Sequence, residues 1–463
     1  MIRYALSFVI FFSFTSAFVN TVAEEQNSTQ YTHPDLTRDP FQRARDVIPN
    51  TKQKIAKPQI EGSQTLDAEL TNIPINNTDN EFANIQGFSY EFAATVDAFI
   101  ITAGGILEPS SEAHEQDSSG VFGVVDLVAE FDTEKSNLWD DGLFFFYSAL
   151  AFGTAPAVGD LNGISDKYAG DNTLRIIEAW YEHKFPYSHS SFLIGLQDFS
   201  NEFYRTEFSK PLLNRGFRLG QTIRVHGNIS TYPITTLGLR FKSQLNQSKY
   251  FQIALFDGEI DSSAMNKVID IDVEGHKAVL LVSELGMNTA RTGAQNEYRK
   301  LAVGAWYLKG EQLGFLENIG ESNEDYLLAN NPSSGNAGAY LIAESAWGEN
   351  IGLFFKHERT KKTFNRYGEY YSAGLHLRGI IPERNKDVLA FGVVHTRHTD
   401  TFMEENPGKF FSSETIWEVT YHTKLSDWIN IQPDFQYIQR PSMTSPLDQA
   451  NTAVLGVRIE ATF

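Results

Sequence analysis

The sequence predicts an all-β protein, a transmembrane antiparallel β-barrel of about 16 strands, and three observations carry that prediction. From Gln86 to the C-terminus apolar and polar residues alternate with period two, in segments near the roughly 9–11 residues with which a tilted strand crosses a bilayer. Short and long links alternate between those segments. The composition agrees: Phe 35, Tyr 19 and Trp 6 make the chain 13% aromatic, with Gly 34 against Pro 16. Beyond the first twenty or so residues there is no apolar run near the roughly 18 that a spanning helix requires.

In chain order, residues 1–23 read as a signal peptide. Arg3 supplies the positive charge, Tyr4 to Phe18 the apolar stretch, and Thr21-Val22-Ala23 the small residues before cleavage, with Ala17 as second choice. Residues 24–84, rich in Gln, Asn, Thr, Asp and Pro, read as an irregular periplasmic N-terminal extension, in which only Arg38 to Lys57 offers a short helix. Residues 85–463 form the barrel. Its strands are expected at 86–103, 120–132, 142–152, 173–184, 191–199, 232–242, 250–257, 275–287, 298–308, 338–347, 351–359, 367–379, 387–397, 413–424, 428–438 and 452–463. The last shows the pattern best: Ala453, Leu455, Val457, Ile459, Ala461 and Phe463 alternate with Val454, Gly456, Arg458, Glu460 and Thr462. Likewise Ile429, Ile431, Phe435 and Tyr437 oppose Asn430, Gln432, Asp434 and Gln436.

Links after even strands are short, such as Thr133–Asp141, Lys184–Ser190, Gly348–Asn350 and Leu425–Asp427. Links after odd strands are longer, such as Gly153–Asn172, Ser200–Thr231, Lys309–Ala337 and His398–Phe411. Short turns on one rim and long loops on the other mark an outer-membrane barrel rather than a sandwich. The link after strand 11 is short and departs from this. Trp180, Tyr181, Trp306, Tyr307, Trp347, Tyr370, Tyr371, Trp417, Tyr421 and Trp428 fall near strand ends, as interfacial girdles do.

Sixteen strands leave an aqueous channel, so the expected task is passive passage of a small polar solute. Selectivity then rests on inward charges: Asp126, Glu130, Glu178, Arg240, Lys242, Glu284, Glu344, Lys356, Glu358, Arg378, Glu418, Asp434, Arg458 and Glu460. The long, aromatic and basic link Ser200–Thr231 is the expected constriction, with Arg205, Lys210, Arg215 and Arg218 as a basic patch at its narrowest section. The formal net charge of −20 argues against nucleic acid as a partner, and Cys 0 excludes thiol chemistry and Cys-ligated zinc. No Gly-x-Ser-x-Gly motif occurs and the 11 His are scattered without metal-ligand spacing, so neither enzyme, metal nor cofactor is expected.

Several segments resemble the carbohydrate-selective porin family of the OprB type. They are Val158-Gly159-Asp160-Leu161-Asn162-Gly163-Ile164-Ser165, Ile177-Glu178-Ala179-Trp180-Tyr181-Glu182, Ile194-Gly195-Leu196-Gln197-Asp198-Phe199 with Glu202-Phe203, and Phe256-Asp257-Gly258. Gln432-Pro433-Asp434-Phe435-Gln436-Tyr437-Ile438 with Pro441, then Gly456-Val457-Arg458 and Phe463, close the series. The resemblance spans about residues 86–463; the Gly-Asp-Trp-Gly-Gly type stretch usual near the family's mature N-terminus is absent. It implies a sixteen-stranded barrel in the outer membrane of a Gram-negative bacterium, passing glucose-like sugars into the periplasm. It carries over Glu178 as an acceptor of sugar hydroxyls, Trp180 as a ring-stacking face, and Arg458. With Asp434, Arg215 and Arg218 these form the candidate substrate-binding set. Phe463 looks like the terminal signature read by the barrel-insertion machinery. Oligomeric state stays open. The alternative is a general or organic-acid and amino-acid diffusion porin, with an outer-membrane hydrolase or adhesin barrel further back.

Overall fold

A computed structural model describes residues 86–106, 118–168, 170, 172–246, 248–258, 278–289, 298–310, 335–348, 350–362, 365–443 and 449–462. The expected signal peptide, the 24–84 extension and Phe463 lie outside the described residues.

Sixteen antiparallel strands close into one barrel. They are β1 (Phe88–Ile106), β2 (Ser119–Asp132), β3 (Gly142–Thr154), β4 (Leu174–Phe185), β5 (Ser190–Gln197), β6 (Thr236–Gln244), β7 (Lys249–Asp257) and β8 (Ala278–Thr289). There follow β9 (Arg299–Gly310), β10 (Asn336–Trp347), β11 (Ile351–Thr360), β12 (Tyr367–Arg378), β13 (Val388–His398), β14 (Ser413–Lys424), β15 (Ile429–Gln439) and β16 (Gln449–Thr462). Each strand pairs with its neighbours in sequence, and β1 pairs with β16, so no edge faces lipid. The expected bounds are met to within a few residues. Strand β5 stops early because the Asp198 side chain turns back to cap a short helix. Strand β6 starts late because Pro233, which has no N–H, precedes it.

The outer wall is apolar. Ile100, Ile194, Leu239, Leu301, Phe355, Phe391, Trp417, Phe435 and Leu455 are exposed there, where lipid covers them. Near the rim of short turns, Trp139 Nε1 donates to Tyr181 Oη at 2.9 Å, and Phe144 packs beside both rings. This is an interfacial girdle, apolar below and wet at its polar tips. Three of the aromatics expected in the girdles are corrected: Trp180, Trp306 and Tyr370 are buried on the inner side. Each precedes an outward Tyr, and successive strand residues point to opposite faces. The odd-numbered strands run into their links at the opposite rim, β11 among them.

The closing seam carries its own lock. Asp97 of β1 stands opposite Arg458 of β16. Arg458 Nε and Nη2 donate to the two Asp97 oxygens at 2.7 and 2.8 Å, with side chains 6% and 0% exposed. Such a bidentate pair holds register as well as charge. Arg458→Met, which strands Asp97 in the wall, is expected to cost about 3–5 kcal/mol in reversible urea unfolding from lipid vesicles, with part recovered by adding Asp97→Asn. A loss within the roughly 0–1 kcal/mol of an exposed pair would show that the seam does not depend on it.

Candidate functional site

The link between β5 and β6 does not stay on the rim. Residues 198–235 fold inward and reach β14, which lies eight strands from β6 in either direction around the barrel. Apolar burial drives the insertion. Phe199, which begins the short helix α1 (Phe199–Glu202), and Phe203, which follows it, cluster with Phe256, Leu280, Trp306 and Ile342 of the wall. Ile223, in the short helix α2 (Gln221–His226), joins them. Farther along the loop, Phe208, Leu212, Leu213 and Phe217 cluster with Phe354, Val394, Ile416 and Ile438.

Most of this inserted chain is irregular, so its backbone N–H groups have no ladder, and a buried N–H without an acceptor is costly. The wall supplies acceptors as inward carboxylates. Glu178 of β4 accepts from the Asp198 N–H at 3.1 Å and from Asn201 Nδ2 at 2.8 Å. Glu284 of β8 accepts from the Tyr204 N–H at 3.0 Å, and Glu344 of β10 from Glu207 and Phe208. Glu358 of β11 accepts from the Ile223 N–H at 3.1 Å and from the Thr222 hydroxyl. Glu418 of β14 accepts from Leu213 and Asn214. Donors satisfy the carbonyls in the same way: Lys356 Nζ reaches Phe217 O at 2.7 Å, and Gln432 Nε2 reaches Pro211 O. The wall tyrosines Tyr250 and Tyr340 add hydroxyl donors to Glu284 at 2.8 and 2.7 Å. Their rings lie over Gly286 and Gly304, where a methyl group would collide with them.

Residues 155–168 of the preceding long link fold in beside it. Leu161 N–H donates to Glu414, Ile164 O accepts from Gln436, and Ser165 and Asp166 meet Asp97 and Arg458 of the seam. Burial pushes the Asp166 carboxyl up, but Arg458 and then Lys167 outweigh it and hold it below its ordinary value. The two links also join each other, through Arg215 N–H to Gly163 O and Asp166 N–H to Leu213 O.

A cavity of about 300 Å³ lies between the loop and the β16–β1–β2–β3 wall. Its acids come chiefly from the strands (Glu91, Asp126, Glu130, Glu460), and its cations chiefly from the loops (Lys167, Arg205, Lys210, Arg218). Tyr147, Tyr204 and Tyr232 also line it. Arg218 is held in place by Ser200 Oγ at 2.9 Å, Asn201 Oδ1 at 3.1 Å and Asp198 Oδ2 at 3.3 Å. Its side chain remains 35% exposed toward the opening. Burial lowers the Arg218 pKa, but Asp198 and then Asp166 raise it above its ordinary value, so it is a permanent cation.

Of the candidate substrate-binding residues, Arg218 and Arg458 line this cavity. Arg458 does so with its guanidinium already committed to Asp97 and Asp166. Arg215 ties the two links together, its Nη2 donating to Tyr168 O. Glu178 clamps the loop's start. Trp180 is 8% exposed and stacks on Phe145 with centroids 4.7 Å apart. Asp434 lies beside Glu418 and accepts from Gln436 Nε2 at 2.9 Å. Sequence reasoning did not single out Ser200, Asn201, Tyr147, Tyr232 or Lys167. Ser200, Asn201, Tyr232 and Lys167 had one signal, membership of the links after β3 and β5, and Tyr147 had only its place in β3.

Residues 118–463 match the family model described as the carbohydrate-selective porin, OprB family. Porin B of Pseudomonas aeruginosa is 20% identical over 334 residues, 66% of this chain and 72% of that protein. The high-pH structure of Pseudomonas putida OprB aligns with a TM-score of 0.68 at 18% identity, covering 81% of this chain and 94% of that one. At that identity the structural likeness speaks for the fold.

Removing one clamp should release the loop without opening the barrel. In Glu418→Ala, the buried N–H groups of Leu213 and Asn214 lose their acceptor, a cost of about 1–3 kcal/mol each. Trypsin is expected to cut after Arg215 or Arg218 in the folded variant at least tenfold faster than in the wild type, read by mass spectrometry of unheated protein. Equal resistance in both would mean that the loop does not depend on this carboxylate.

Proposed function

The chain belongs to the carbohydrate-selective porin family of the OprB type, and from that premise we propose a path for the sugar. It is a channel of the Gram-negative outer membrane. The sugar passes between the inserted loop and the β16–β1–β2–β3 wall, through the cavity that Arg218 faces. The observation that supports this path is the division of the cavity's lining, with most of its acids on the strands and most of its cations on the loops. A sugar offers hydroxyls that both donate and accept, so it can bridge the two sides while it slides. A charged solute of one sign would be held by one side and repelled by the other. Tyr147 and Tyr232 add apolar ring surface for the sugar's C–H faces.

Arg218 is the residue to which we assign most of the sugar's binding at this point. The loop presents its guanidinium already oriented, so little ordering remains to be done when a hydroxyl arrives. Glu178 and Arg458, two of the three residues carried over from the resemblance, act behind it. Glu178 holds the backbone at Asp198, and Arg458 holds Asp166, so both position the lining rather than touch the solute.

The test is single-channel conductance of refolded protein in a planar bilayer titrated with glucose. Conductance is expected to fall as glucose fills the cavity. In Arg218→Gln the half-blocking concentration should rise about tenfold, the equivalent of about 1.4 kcal/mol and the low end for a hydrogen bond to a charged group. Stable conductance indifferent to glucose but reduced by an amino acid or a small carboxylate would move the assignment to the alternative diffusion class.

A further inference from the structure

The outside of the barrel holds a second charged feature, independent of the sugar path. Strand register aligns three rows across β11, β12, β13 and β14. The first, Phe355, Ala373, Val393 and Trp417, is apolar, with Phe355 and Trp417 exposed to lipid. The second, two residues nearer the rim of long loops, is His357, Tyr371, His395 and Thr415. The third is Arg359, Glu369, Arg397 and Ser413. Arg440 follows Gln439, which pairs with Thr415 at the same rim. The wall therefore turns from apolar to cationic within two steps of the pleat, where hydrocarbon ends and headgroups begin.

The patch is unbalanced. Arg359 Nε and Arg397 Nη1 lie 3.7 and 3.8 Å from the two oxygens of one carboxylate, Glu369, too far for hydrogen bonds. Their side chains are 60% and 48% exposed. With Arg440, three guanidiniums meet one carboxylate. The nearby Lys362–Asp400 pair, at 2.9 Å, compensates itself. Beneath the cations, His357 and Tyr371 stack with centroids 4.4 Å apart and form a flat ring surface. Elsewhere close to this rim the outward face carries Val121, Leu174, Leu255 and Val279, with the cation Lys309 opposite Val279.

We propose that Arg359, Arg397 and Arg440 bind the phosphorylated saccharide headgroup of the outer-leaflet lipid, lipopolysaccharide. The long-loop rim faces the cell exterior, so this is the leaflet the patch meets. Guanidinium forks match phosphate oxygens in pairs. Arg359 and Arg397 sit two strand spacings apart, about 10 Å, which suits a headgroup carrying more than one phosphate. The stacked rings beneath take the sugar face.

The experiment uses the full refolded chain in detergent, with native mass spectrometry as readout and purified lipopolysaccharide, its dephosphorylated form and inorganic phosphate as probes. Lipopolysaccharide is expected to bind the wild type and Lys309→Gln, an outward cation remote from the patch, alike. It should bind the Arg359→Gln/Arg397→Gln/Arg440→Gln variant at least tenfold more weakly, and the dephosphorylated lipid should bind the wild type at least tenfold more weakly. Channel conductance and unheated gel migration of the variant should be unchanged, because none of the three residues lines the cavity of the sugar path. If the triple variant fails to fold, single Arg397→Gln should still lose about threefold. Equal binding by variant and wild type, equal binding of the dephosphorylated lipid, or displacement by millimolar inorganic phosphate would each overturn the proposal.

Discussion

A backbone that leaves the barrel wall to cross the lumen abandons the ladder that satisfied its N–H groups, and the interior of this channel is organised by where those groups go. Helices would satisfy them locally, but the inserted loop has only two short α-helices and one 3-10 turn, Arg215–Phe217. Acceptors come instead from Glu178, Glu284, Glu344, Glu358 and Glu418, spread over strands on both sides of the barrel. Each is a hydrogen bond in a site with little water, where a missing partner costs more than the bond itself contributes. The wall and the loop therefore specify one another. The barrel would have no reason to bury these carboxylates without the loop, and the loop no acceptors without the barrel.

That mutual demand divides the lumen. On the β7–β15 side, aromatic and aliphatic residues of the loop pack against the wall and close off the space. On the β16–β1–β2–β3 side the same loop presents cations and hydroxyls to an acidic wall, and water and solute have room. The seam pair Asp97–Arg458 belongs to both structures, since it closes the sheet and seats Ser165 and Asp166 of the second link. A wide sixteen-stranded cylinder becomes a narrow, chemically two-sided passage without an added domain.

Much of this was legible in the sequence, for definite reasons. Period-two alternation places Glu178, Glu284, Glu344, Glu358, Glu418 and Arg458 inward, and all are buried on that side. The strand bounds and the two rims followed from turn length. The roles of the inward charges were not legible. Glu418 reads as a selectivity charge until its partner is known, and that partner is Leu213, 205 residues away. Trp180 reads as a sugar platform until Phe145 is seen stacked on it. Alternation tells which face a residue takes, and it is silent about what a returning loop will place there. The Ser200–Thr231 link was recognisable by length and composition, whereas the inward path of residues 155–168 rests on distant contacts such as Leu161 with Glu414.

The account's central claim is that the inserted loop, more than the barrel's circumference, sets the size of the passage. Its most direct test compares single-channel conductance of the wild type with that of a chain in which residues 200–230 are replaced by a short Gly-Ser linker, folding being verified by unheated gel migration. A several-fold rise in conductance, with loss of any block by glucose, is the result expected. Unchanged conductance from a folded loop-deleted barrel would contradict the claim and place the constriction elsewhere.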